Sequence, residues 1–471
     1  MDQNVYVRCE MGKEKLIVYS PYSGEVVGTV ETTDISQIPD IIARAGRGFE
    51  AMKKLTITRR AEILREAAAK LLERKEEYAV VLSKEVGKVI TDARKEVERA
   101  ANTLRLSAEA VFQVCGEVIP LDNIEGGFRT GYYKRVPVGL VLAITPFNFP
   151  LNLACHKLGP AIAAGNAVII KPASKTPITT YMLRETLAEC GLPDEAVTVV
   201  CGGGETLGNA LVNHDAIRKI SFTGSYQAGD SICRNAGVKK VTMELGSTGA
   251  VIVTENTDIE KAADKLCQAG FVNAGQVCIS VQRVYAAEKI RDELVSAMVK
   301  RAGKIKIGDP LDEKTQLGPM ISRQALEKAQ EKIADTVRMG AKIVTGNRSE
   351  GNILYPTILT DAPEDSPVIK TEMFAPVIIV NTFSDFEDAI RKVNSTDFGL
   401  QAGVFTDSVE EAMKFANKID CGGIMINDTC NFRVDQMPYG GMKHSGLGKE
   451  GPGFAIKEMT EMKMIVINSF M

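Results

Sequence analysis

Histidine is scarce in this chain. Only His156, His214 and His444 occur among 471 residues, and no CxxC pair is present. A structural zinc site of the Cys/His type finds no ligand spacing here, and no metal is expected. The ten cysteines, at 9, 115, 155, 190, 201, 233, 267, 278, 421 and 430, stand singly, which suits reduced thiols better than a disulfide scaffold. An excess of one charge is also missing. The formal net charge of −3 makes no electrostatic case for nucleic acid or an anionic membrane as partner. No uninterrupted apolar run reaches the ~18 residues a spanning helix needs. The greasiest region, 136–170, is broken by Pro146, Asn148, Pro150 and Lys157. The N-terminal MDQNVYVRCEMGKEKL is charged and lacks the apolar centre of a signal peptide, so a cytoplasmic protein is expected. A hydrophobic content of 45% and a charged content of 25% are those of a globular protein. The length exceeds what one ordinary core serves, so two or three domains are expected.

What is present begins with helices. Over 33–112, apolar residues recur at three and four with Lys, Arg and Glu between them, and the charge runs read as solvated helix faces. Residues 116–138 change to two strand-like runs around a Gly-rich turn, a hairpin suited to subunit contact. From Val138 short apolar strands alternate with helices: GLVLAIT, NAVIIKP, AVTVVCGGG, KISFTGS and KKVTMELG. This alternation predicts an α/β fold with a parallel, doubly wound sheet and a ligand at the C-terminal strand ends. A second α/β unit follows, through AVIVTE, VQRVYAAE, AKIVTG, VIIVNTF, AGVFT and GIMIND. The last strand, KMIVIN, is placed to pair with the 116–138 hairpin.

Several residues could carry chemistry, each beside a plainer reading. Cys278 follows the small, flexible Asn273-Ala274-Gly275 and precedes an apolar run, so it is either a presented nucleophile or a buried small hydrophobe. Phe222-Thr223-Gly224-Ser225-Tyr226-Gln227-Ala228-Gly229 joins a strand to a helix with two glycines five apart. Free amides there suit a pyrophosphate, although the run is not GxGxxG and a plain Gly-rich turn reads equally well. Lys171 ends a strand where an ammonium can bond ribose hydroxyls. Ser174 stands where a carboxylate would repel a 2′-phosphate, leaving NADP as open as NAD. Asn148, in TPFNFP, is an oxyanion donor or a turn former. Glu244 ends an apolar strand as a water-activating base or a paired carboxylate. Glu372 and Phe374, in KTEMFAP, suit a second ribose and a nicotinamide face, or simply loop and core.

The joint order and spacing of Asn148, Lys171, Phe222–Ser225, Glu244–Gly246, Gly275–Cys278 and Glu372–Pro376 resemble the aldehyde dehydrogenase superfamily, over essentially the whole chain. The resemblance implies Cys278 as nucleophile, Glu244 as base, Asn148 with the Cys278 N–H as oxyanion hole, and Glu450 as a proton-relay acid paired with Lys157. It places NAD or NADP against Ile144, Thr145, Pro146 and Phe147, against Lys171, Ser174 and Gly204, and along Phe222, Thr223, Gly224, Ser225 and Gly229. Leu245, Gly246, Glu372 and Phe374 complete that set. It implies a Rossmann-like cofactor domain (1–115 and 138–246), an α/β catalytic domain (247–445) and a small β arm (116–137 and 455–471), joined into a homodimer or homotetramer. Two departures add one small side chain each: Ser247 after Glu244-Leu245-Gly246, and Ala375 before Pro376. The glutamate favours hydrolysis of the thioacyl intermediate over transfer to coenzyme A.

His156, Arg433 and either Arg99 or Arg105 fall along the substrate funnel that the resemblance implies, and they suggest an anionic head group. The plainer reading is a backbone-bonded histidine and surface ion pairs. FNFPLNLACHK and RVDQMPYGGMKHSG resemble the branch holding lactaldehyde, sulfolactaldehyde, phosphonoacetaldehyde and non-phosphorylating glyceraldehyde-3-phosphate dehydrogenases. Val277 precedes the nucleophile where the last group commonly has arginine. A short aldehyde bearing a hydroxyl or anionic group is therefore expected, with succinate semialdehyde or a broad aldehyde range as alternatives. A non-catalytic dinucleotide-binding module has no need of Cys278, Glu244 and Asn148 together. A Cys/His hydrolase needs a histidine beside the thiol, and no sequence feature pairs one with it.

Overall fold

The structure, a computed structural model, describes residues 15–121 and 129–468. The chain opens with an antiparallel hairpin, β1 (Lys15–Tyr19) and β2 (Val26–Glu31), which the sequence reading passed over. Four helices follow: α1 (Ile38–Lys53), α2 (Ile57–Glu73), α3 (Lys75–Val86) and α4 (Ile90–Ala110). Thr56 starts α2 by accepting from the Arg59 N–H, and Gly87, at φ 80°, ends α3 in the left-handed conformation that a Cβ disfavours. Not every charge in this helical region faces water. Glu85, Lys88 and Glu96 are buried, which corrects the reading of the charge runs as solvated faces.

Strands β3 (Glu117–Ile119) and β4 (Arg129–Pro137) pair antiparallel, and the Gly-rich turn expected between them lies outside the described residues. The C-terminal strand Thr460–Asn468 runs antiparallel along all of β4, from Thr460 opposite Pro137 to Asn468 opposite Arg129, as its sequence suggested.

The first α/β unit contains β5 (Leu140–Ile144), α5 (Pro150–Ala164), β6 (Ala167–Lys171), α6 (Ile178–Glu189) and β7 (Val197–Val199). It continues through α7 (Asn209–Asn213), β8 (Ile217–Thr223), α8 (Tyr226–Asn235) and β9 (Lys240–Glu244). The sheet order is β9-β8-β5-β6-β7, all parallel, so the order turns back at β5 and opens a crevice at the strands' C-terminal ends. Gly446–Leu447 adds a short antiparallel edge to β9.

The second unit starts with β10 (Ala250–Val253), α9 (Ile259–Phe271) and β11 (Arg283–Ala287). Its seven-stranded sheet runs Lys342–Thr345, Thr357–Thr360, Val377–Phe383, β11, β10, Gln401–Phe405 and Gly423–Ile426. Only Lys342–Thr345 is antiparallel to its neighbour. Strands buried on both faces explain the near-continuous apolar runs in the sequence.

Candidate active site

The nucleophile candidate sits on a strained loop. Asp258 caps α9, and after Phe271 the backbone passes through Asn273 (φ 51°), Ala274 (φ 54°) and Gly275 (φ 68°) before reaching Cys278. Left-handed Asn and Ala persist only where their surroundings fix them. Here the Gln276 side chain accepts from the Ile321 N–H at 2.8 Å and donates to the Asn273 carbonyl at 3.2 Å. A Cβ on Gly275 would fall 2.0 Å from the Ala375 carbonyl oxygen, so the close approach requires glycine. Cys278 Sγ lies 2.9 Å from the Tyr439 hydroxyl. Burial pushes the thiol up to about 11, opposed by that hydroxyl and by Arg433.

Asn148 stands between β5 and α5, beside the same loop. Its Nδ2 donates to the Gln276 carbonyl at 2.8 Å, leaving one amide hydrogen free, while Oδ1 is buried without a partner. Among the described residues no acceptor takes the Cys278 backbone N–H. The two groups together offer a developing oxyanion two donors. Behind Asn148, Glu96 of α4 caps α5 by accepting from the Leu151 and Asn152 N–H groups at 3.0 and 3.2 Å. Lys88 pairs with Glu96 and donates to the Asn148 carbonyl at 2.8 Å.

All fifteen residues of α5 are buried, among them Lys157. Its ammonium lies 2.8 Å from Thr223 Oγ1 and 3.0 Å from Glu450 Oε1. Arg433 holds the other oxygen of Glu450 at 3.1 Å, and its guanidinium covers the Tyr439 ring at 3.6 Å. The two cations hold Glu450 well below the usual carboxylate range despite burial. Glu244 differs. Both its oxygens are buried without a partner, and burial plus the Glu450 charge pushes it well above that range. Burial thus disfavours the charged form of Glu244, while Lys157 and Arg433 favour the charged form of Glu450.

Cys278, Glu244, Asn148, Glu450 and Arg433 all line one cavity of about 930 Å³ between the two sheets, continuous with the strand ends of the first unit. Ile144, Thr145, Pro146, Phe147, Phe222, Thr223, Gly224, Ser225, Leu245, Gly246, Glu372 and Phe374 line it too. Ser225 caps α8 by accepting from the Ala228 N–H. Thr145 Oγ1 is buried and unpartnered. Glu372 accepts from the Ser247 N–H at 3.0 Å, and burial raises it to about 7. A Cβ on Gly246 would come 2.7 Å from that carboxylate. Phe374, at φ 48°, meets Phe147 edge to face at 5.7 Å. Lys171 is 6% exposed, and no ion pair joins it to an acid among the described residues. An unpaired ammonium, the orphaned Thr145 hydroxyl and a glycine wall beside Glu372 fit a nicotinamide dinucleotide.

Some expectations need correction. Gly229 is a packing contact, since a Cβ there would strike Leu245 at 2.4 Å, and it does not line the cavity. The structure does not overturn Lys171, Ser174 and Gly204, which stand at or beyond the C-terminal ends of β6 and β7 near the cavity-lining Ala173, and Ser174 Oγ donates to the Gly202 carbonyl at 3.3 Å. Arg105 is exposed on α4, bonded to Glu109 at 2.7 Å and Asn102 at 2.7 Å, so it does not face the funnel. His156 is fully buried off the cavity wall and is not cationic, because burial and Arg433 both lower its ring. Its Nε2 is 3.2 Å from Asp435 and 3.3 Å from Arg433, and one nitrogen cannot serve both as donor and acceptor. Arg99 does line the cavity but pairs with Asp435 at 2.8 Å. Arg433 is the funnel arginine left at the reacting end.

Tyr439, Lys88, Glu96 and Asp435 escaped the sequence reading. Tyr439 and Asp435 lie in RVDQMPYGG, noticed for its arginine, whereas nothing local separates Lys88 and Glu96 from the exposed charges around them.

Residues 7–465 match the aldehyde dehydrogenase family. A 3-sulfolactaldehyde dehydrogenase of Priestia aryabhattai is 43% identical, covering 98% of this chain and 96% of the relative. A lactaldehyde dehydrogenase of Methanococcus aeolicus is 38% identical, covering 98% of each. The crystal structure of the Methanocaldococcus jannaschii glyceraldehyde-3-phosphate dehydrogenase GapN, complexed with NADP, superposes with a TM-score of 0.93 at 38% identity, covering 98% of this chain and 100% of that one. With a cysteine, an amide and two carboxylates meeting at the crevice of a doubly wound sheet, and with this match along nearly its whole length, the chain belongs to the aldehyde dehydrogenase family.

Proposed function

We propose that this NAD(P)-dependent aldehyde dehydrogenase oxidises a short aldehyde carrying a hydroxyl or anionic group, of the lactaldehyde, sulfolactaldehyde, phosphonoacetaldehyde or glyceraldehyde-3-phosphate type. The observation that carries this reading is Arg433. It lines the cavity with Cys278, and its Nε is buried without a partner. The charges around it favour an anion as well. Arg433 and Lys157 share the single carboxylate of Glu450, and burial disfavours the charged form of Glu244, which together favour an anion in this corner.

In this reading the Cys278 thiolate attacks the aldehyde carbon, and Asn148 with the Cys278 N–H holds the oxyanion of the thiohemiacetal. The dinucleotide, when bound, supplies the hydride acceptor. Glu244 takes a proton from the water that hydrolyses the thioacyl group, and Glu450 with Lys157 carries that proton onward. Phe147 and Phe374 wall the crevice, Ser225 presents the α8 N-terminus, and Lys171, Glu372 and Ser174 are assigned to the riboses. Residues 1–115 with 138–246 form the cofactor domain, and 247–445 the catalytic domain. The arm of 116–137 and 455–471 makes the subunit contact of a homodimer or homotetramer, with Met462, Met464, Val466 and Ile467 exposed on it. The protein is assigned to the cytoplasm.

The test is steady-state oxidation of a panel of short aldehydes, with and without anionic or hydroxyl groups, with both dinucleotides. The highest kcat/KM is expected for a hydroxy or anionic aldehyde. A preference for plain alkyl aldehydes rejects the substrate reading.

A further inference from the structure

We propose that the Tyr439 hydroxyl is a catalytic group, the hydrogen-bond donor that holds the Cys278 thiolate before aldehyde arrives. This rests on Cys278 being the nucleophile and goes beyond it by naming what stabilises the sulfur.

The contact is direct. Tyr439 Oη lies 2.9 Å from Sγ, and it is the sole hydrogen-bond partner of that sulfur among the described residues. Glu244, the obvious alternative, makes no hydrogen bond with either oxygen, so the carboxyl does not hold the thiol in this state. The phenol is rigidly mounted. Its ring is 2% exposed, and its backbone exchanges hydrogen bonds with Glu450 in both directions, at 3.1 and 2.6 Å. The Arg433 guanidinium, 3.6 Å from the ring centre, draws charge from the ring and makes its O–H a better donor.

The roles of the protons follow from chemistry. Tyr439 is buried and its hydroxyl is pushed well above its ordinary range, so it keeps its own proton. The thiol proton leaves to cavity water, and the O–H of Tyr439 then points at an anionic sulfur in a charge-assisted bond. When Sγ bonds the aldehyde carbon, the carbonyl π pair moves to oxygen and the sulfur becomes a weak acceptor. The phenol therefore favours the thiolate over the adduct. It increases the amount of nucleophile and slightly blunts its strength.

That opposition gives the test a signature that a structural role lacks. The rate of Cys278 alkylation by iodoacetamide is followed against pH, with the modified peptide identified by mass spectrometry, in the wild type and in Tyr439→Phe. Loss of the donor is expected to raise the apparent thiol pKa by about one unit. The rate near neutrality should fall about threefold, and the limiting rate of the ionised thiol should rise about threefold, because intrinsic reactivity grows with basicity by roughly half a log unit per unit. Replacing Tyr439 by 3-fluorotyrosine, a stronger donor of nearly the same shape, is expected to move the profile the opposite way, and it decides the matter if the phenylalanine variant misfolds. Superimposable profiles for wild type and the fluorinated protein overturn the role of Tyr439. Aldehyde oxidation surviving in Cys278→Ala instead overturns the nucleophile itself, whatever the alkylation profiles show.

Discussion

The Lys88 ammonium bonds the backbone carbonyl of Asn148 at 2.8 Å while neutralising Glu96, the carboxylate that caps the helix starting two residues later. An ion pair from the outer helical layer thus fixes the loop that presents the amide proposed for the oxyanion hole. Removing one member leaves the other as an unpaired buried charge, the costly case for a desolvated pair. Lys88→Met is expected to lower stability by about 3–5 kcal/mol, read by denaturant unfolding. Adding Glu96→Gln should return much of that. If Lys88→Met unfolds like the wild type, the pair is not holding the loop.

Two groups need to lose protons before each half-reaction. Cys278 is raised to about 11, and Glu244 is raised by burial and by Glu450. The active form of each is the deprotonated one, so activity falls as pH drops below the raised values and climbs with alkalinity. The logarithm of kcat/KM is expected to rise with a slope near one through neutral pH, since this parameter reports the free enzyme. A profile flat from mildly acid to mildly alkaline pH contradicts the raised thiol.

Separating the two half-reactions isolates Glu244. Glu244→Gln should keep a burst of reduced dinucleotide equal to the active-site concentration and then turn over at least about a hundredfold more slowly, within the range usual for a lost general base. Rapid-mixing absorbance measures both phases. An unchanged steady-state rate removes Glu244 as the base.

Arg433→Ala should raise KM chiefly for anionic aldehydes, by roughly tenfold to a hundredfold, the loss expected of a charged hydrogen bond. Arg433→Lys should recover little, because an ammonium cannot reproduce the guanidinium fork. Equal losses for neutral and anionic aldehydes discard the anion pocket.

Ser174 tests cofactor choice. A carboxylate at this position stands against a 2′-phosphate, so Ser174→Glu should raise KM for NADP by at least about tenfold while leaving NAD little affected, by like-charge repulsion. Parallel titrations with both dinucleotides give the ratio.

The alternation of apolar strands with amphipathic helices made both α/β units legible, and the pairing of the C-terminal strand with β4 was visible from its run of apolar residues. Cys278, Glu244 and Asn148 were readable through the joint order and spacing that resemble the family, since each alone had a plain structural reading. Partner choice was not readable. His156 looked cationic because nothing local announces Arg433, which is distant by 277 positions, or its own complete burial. Arg99 and Arg105 are equivalent on paper, yet a rotation of about 240° around α4 leaves one on the cavity and the other in water. Lys88 and Glu96 look like any helix-face charges until α5 packs over them. The β1–β2 hairpin was missed because its two short strands carry no signal beyond a turn between them.

Ser445, fully buried, accepts the Leu245 N–H through its carbonyl at 3.0 Å, donates through its hydroxyl to the Gly246 carbonyl at 2.8 Å, and takes the Gly399 N–H at 2.9 Å. One serine thereby rivets the two halves of the molecule together immediately beside Glu244. The seam cannot gape at that end without tearing the rivet.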